Sequence, residues 1–86
     1  MTDQRKEDEF DSEAEIAQLL DEQAEMKVLQ EAVISQLKEL RAKEDPLKGV
    51  HFAQDIFRLS QEKLRLAAEI DYRSRKVNRL RMSADG

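Results

Sequence analysis

The amino-acid sequence predicts an all-α protein, an antiparallel two-helix coiled-coil hairpin completed by self-association into a four-helix bundle or by a partner helix. Three observations carry this reading. Two runs of apolar residues recur at alternating steps of three and four, the spacing that keeps one stripe of a helix facing a neighbour. Between them, Lys43-Glu44-Asp45-Pro46-Leu47-Lys48-Gly49 holds the chain's one proline and one of its two glycines. Charged residues make up 40% of the chain and aromatic residues 5%, a mix that suits exposed helices and lacks the residues a sheet needs.

Residues 1–11 show no apolar periodicity and are rich in acids, which predicts a disordered tail. Ser12 and Glu15 have capping-box spacing and predict the start of the first helix, over about 12–43. Its seam places Ile16, Gln23, Gln30 and Leu37 at heptad position a, and Leu19, Met26, Val33 and Leu40 at d. Pro46 disfavours a helical Asp45 and ends that helix, although Asp45-Pro46 can also be read as the cap and first residue of the second helix. A turn is expected over about 44–50 and a second helix over about 51–82, with 84–86 frayed. The second seam has Ile56, Lys63, Ile70 and Val77 at a, and Phe52, Leu59, Leu66, Arg73 and Leu80 at d.

Positions 37 and 56 differ by 19, not a multiple of seven, so the two seams do not join into one continuous coiled coil. Folding the arms back instead allows two registers. Pairing residues whose numbers sum to 96 sets Leu37 against Leu59 and brings two polar seam residues, Gln23 and Arg73, into one layer. A sum of 89 strands Lys63 and Arg73 in separate apolar layers, so the first is preferred. Arms of about 30 residues make a rod on the order of 45 Å. Either register sets the acidic start, where residues 1–25 hold ten acids against Arg5 and Lys6, beside the basic end, where residues 63–86 hold seven bases against three acids.

Leu29, Ile34, Phe57 and Leu64 lie off the seams, and together with Phe52 at the start of the second seam they form the expected partner-binding surface. The alternative is phosphate-backbone binding by the basic segment Arg75, Lys76, Arg79 and Arg81, although only Tyr72 stands nearby as an aromatic for base stacking. No cysteine, one histidine (His51) and two glycines leave no thiolate metal site, glycine-rich phosphate loop or EF-hand pattern. The sequence therefore predicts a non-enzymatic interaction subunit without cofactor or metal. No run of 18 apolar residues and no secretory leader is present, from which a cytoplasmic protein without membrane insertion is expected.

Overall fold

The structure, a computed structural model, describes residues 4–85, with side chains from 12 to 83. It is an antiparallel helical hairpin. Helix α1 spans Gln4–Lys43, a short 3-10 turn spans Pro46–Lys48, and helix α2 spans Ala53–Asp85. The described residues hold no strand beyond one isolated bridge between Asp45 and Val50. The molecule measures 73 × 16 × 14 Å, with a radius of gyration of 19.9 Å. A compact chain of this length would have a radius of about 12 Å, so the rod keeps most of its surface in contact with solvent.

The rod exceeds the 45 Å expected from the heptads because both helices run past them. Helix α1 begins at Gln4, so residues 4–11 are helical rather than a disordered tail, and Ser12 lies inside the helix instead of capping it. Gln4–Asp11 contains neither proline nor glycine and is built mainly from residues of good helix propensity. Once the seam has nucleated the helix, each further residue adds a hydrogen bond without needing to bury anything. Residues 1–3 of the expected tail lie outside the described residues. At the other end α2 continues to Asp85, and only Gly86 of the expected frayed terminus lies outside them.

The link between the helices is built by Asp45, Pro46 and Gly49. Asp45 is extended (φ −138°, ψ 91°) and caps the 3-10 turn, its carboxylate accepting from the Lys48 N–H. Pro46 takes the first position, where no donor is required. Gly49 closes the turn in the left-handed region (φ 73°) and donates its N–H to the Pro46 carbonyl. Asp45 and Val50 then exchange two backbone hydrogen bonds, of 3.0 and 2.9 Å, which return the chain alongside itself. Asp45-Pro46 thus does cap a helix, but the 3-10 turn rather than α2. Val50 is held back by its pairing with Asp45, so α2 starts at Ala53 instead of 51. The Phe52 carbonyl receives the first helical bond, from the Ile56 N–H at 2.8 Å, and the Phe52 N–H donates to Glu44 Oε2 at 3.3 Å.

This loop sets the register. The last residue of α1 and the first of α2 sum to 96, and the packing follows that pairing. Among the described residues, Leu19, Val33, Leu37, Leu66 and Val77 are the buried apolar side chains; Val33, Leu37 and Leu66 form one cluster, with Met26, Ile56 and Leu59 packed against it. Gln23, also buried, reaches both Ile70 and Ser74, the residues that bracket Arg73. The register that sums to 89 would put Gln23 level with Leu66 instead. Lys63 holds an a position in the seam but is exposed, as a lysine there keeps its ammonium in water.

Gly49→Ala tests the loop. Nothing lies within 4 Å of an added Cβ, so any cost comes from the positive φ alone. The expected loss is about 1–2 kcal/mol in chemical denaturation, with helix content unchanged; a loss below a few tenths would show that the turn is not required in this form.

Candidate interaction surface

A two-helix seam has two flanks, and here they differ in chemistry. In an antiparallel pair the g positions of both helices line one flank and the e positions the other. The g flank is charged. Lys76 Nζ lies 3.1 Å from Glu15, and Arg73 Nη2 lies 3.7 Å from Glu22 across the helix pair. Arg73 also donates through Nη1 to the Glu69 carboxylate at 2.6 Å and to the Glu69 carbonyl at 3.1 Å. Toward the loop the same flank opens into a shallow groove lined by Gln36, Glu39, Leu40, Lys43, Asp55, Arg58 and Leu59, a set of mixed charge with no convergent polar groups.

Within the seam, Gln23 and Arg73 share a layer as expected but do not bond to each other. Gln23 Nε2 donates to the Ile70 carbonyl at 3.2 Å and to Ser74 Oγ. Arg73 turns toward Glu69 and Glu22, leaving its buried Nε–H without an acceptor. The hydrogen bond that Arg73 donates to Glu69, reinforced by the Glu22 carboxylate, holds the Arg73 guanidinium above its ordinary pKa, and the bond Lys76 donates to Glu15 does the same for Lys76, opposed by desolvation and by Arg79. On the surface of α2, the Arg65 bond pulls the Glu62 carboxyl below its ordinary value.

The e flank is small and apolar on α2 and mixed on α1. On α1 it is Leu20, Lys27, Ile34 and Arg41 at e, beside Ala17, Ala24, Glu31 and Lys38 at b. On α2 it is Ala53, Ser60 and Ala67 at e, beside Phe57 and Leu64 at b. Phe57 is 66% exposed and Leu64 62%, while Ile34 is half-buried. Of the five residues expected to bind a partner, the structure therefore unites Ile34, Phe57 and Leu64 on one face. Leu29, 55% exposed, occupies g on the opposite flank, and Phe52 is half-buried at the loop end of the seam. The antiparallel pairing brings e beside e and g beside g, and with the heptad letters it separates Leu29 from Ile34, Phe57 and Leu64.

The basic segment divides as well. Arg75 pairs with Asp71 at 3.0 Å, with both side chains well exposed, and Lys76 is engaged by Glu15. Arg75 and Arg79 point outward from α2, whereas Arg81 lies on the e flank. Among the described residues no cluster of metal-binding side chains occurs, and no helix is long and apolar enough to cross a membrane. Comparison with protein-family models, curated proteins and solved structures finds no match.

The polar layer and its flank generate two expected outcomes. Replacing Gln23 by Leu should raise stability by about 1 kcal/mol, because it removes one buried amide from the seam while Arg73 keeps Glu69 and Glu22, and Ser74 can turn to its own helix backbone; a drop of that size would make Gln23 a net stabiliser. The raised Lys76 pKa has a defined sign. The folded value exceeds the unfolded one, so its contribution is complete at neutral pH and is lost as pH rises through the folded value. Melts across the alkaline range should show a decline that Lys76→Arg removes.

Proposed function

We infer that the chain is a non-enzymatic assembly subunit that binds through the e flank of its hairpin. One observation carries this reading: Phe57 and Leu64 stand a heptad apart, about 10 Å along one face, each more than three-fifths exposed, with Ile34 and small residues between and beside them. Single exposed apolar side chains are ordinary, but an aligned set on one face marks a contact surface. The thin core points the same way. Among the described residues, five buried apolar side chains leave the hairpin little to offset its ordering entropy.

The second reading, phosphate binding through Arg75, Lys76, Arg79 and Arg81, draws on their closeness along the last turns of α2. It is weakened by Arg75 and Lys76 already having carboxylate partners, and by an overall formal charge of −4.

Sedimentation decides between the two. The native chain should associate at tens of micromolar, and Phe57→Asp should return it to monomer without loss of helix, since Phe57 contributes little to the hairpin itself. A native chain that stays monomeric, and binds nucleic acid at about 50 mM salt with the expected steep salt dependence, would transfer the assignment to the basic residues.

A further inference from the structure

We propose that the occupant of the e flank is a second copy of this chain, packed face to face and antiparallel about a two-fold axis at the level of Ile34 and Glu62. This deepens the assembly reading above and rests on it.

The placement comes from the residues. On α2 the e flank alternates small and large: Ala53, Phe57, Ser60, Leu64, Ala67. Pairing α2 with a reversed copy of itself at a sum of 124 sets Phe57 level with Ala67 and Leu64 level with Ser60, in both directions. Every large side chain then meets a small one, the condition for interdigitated layers. The hairpin register fixes what this does to α1, whose residues must then pair at a sum of 68. Ile34 falls on the axis, level with its own copy. Glu31 comes level, within a residue, with Lys38 of the second copy, and the symmetry repeats this attraction. The loop of each copy reaches the other's Leu20, so Leu47, 99% exposed in the hairpin, comes level with an exposed leucine. Lys27 falls level with Arg41 of the second copy, a repulsive layer one turn from Glu44.

The area suits a stable dimer. The copies overlap from the level of residue 20 to the loop, about 42 Å. Two helices side by side, each about 10 Å wide, give a footprint of about 800 Å² per copy, which is the size of a standard specific interface. The hairpin exposes 7086 Å², against about 5,200 Å² for a compact monomer of its 10.0 kDa mass, an excess large enough to supply that footprint.

The test uses the absence of native cysteine. Ile34→Cys in the full chain should cross-link to a dimer with a short bis-maleimide, and Leu29→Cys, on the other flank, should not. By sedimentation, Glu31→Lys should weaken the dimer about tenfold, and adding Lys38→Glu to it should restore the affinity. Lys27→Glu should tighten the dimer several-fold by converting its repulsive layer. A dimer that is lost with Phe57→Asp yet fails to cross-link at position 34, or shows no rescue by the charge swap, overturns this geometry and leaves the assembly reading standing. A chain that is monomeric at every concentration overturns both.

Discussion

Two helices can bury only one stripe of each, and most of this molecule's properties descend from that limit. The seam takes Leu19, Val33, Leu37, Leu66 and Val77 out of water and can take little more, because each helix has a single neighbour. Residues that a larger bundle would enclose remain on the surface. Phe57 and Leu64 are exposed for this reason, and so is the small-residue track beside them. The exposed apolar side chains on this face are therefore a direct result of having too few helices.

The polar layer shows how the same seam specifies its arrangement. Gln23 satisfies its amide on Ile70 and Ser74, while Arg73 reaches past the seam to Glu69 and Glu22. Neither contact survives a slip of one heptad, so the layer favours one pairing over its neighbours even if it adds little stability. The Arg73 Nε–H without an acceptor marks the limit of that arrangement. The loop works in the same direction from the other end, since the paired Asp45 and Val50 leave no slack for α2 to slide along α1.

Much of this was legible in the sequence. The heptads identified both seams, Pro46 and Gly49 located the link, and summing residue numbers selected the register, because apolar spacing is dictated by which residues must leave water. What could not be read depended on terms with no apolar signature. Helical continuation through Gln4–Asp11 follows from propensity and propagation, which leave no stripe. The 3-10 turn depends on backbone pairing between Asp45 and Val50. Phe52, read as part of the second helix, instead precedes it and supplies a capping carbonyl. The expected partner-binding set was only partly coherent because its residues were grouped as off-seam apolar positions without their heptad letters, which with the expected antiparallel pairing already put Leu29 (g) and Phe57 (b) on opposite flanks.

The packed cluster lies in the half of the rod nearest the loop, where Val33 and Leu37 meet Leu66, while Gln23 and Arg73 interrupt the seam farther out. This uneven distribution gives the hairpin a direction of assembly. Contacts beside the loop close the shortest chain segments and lose the least entropy, so zippering begins there and proceeds outward, the route by which helical proteins of low contact order fold quickly. The polar layer is met only after that cluster has formed, when the growing seam already holds the helices in register. A slipped pairing is thus encountered late, with a correctly packed segment behind it.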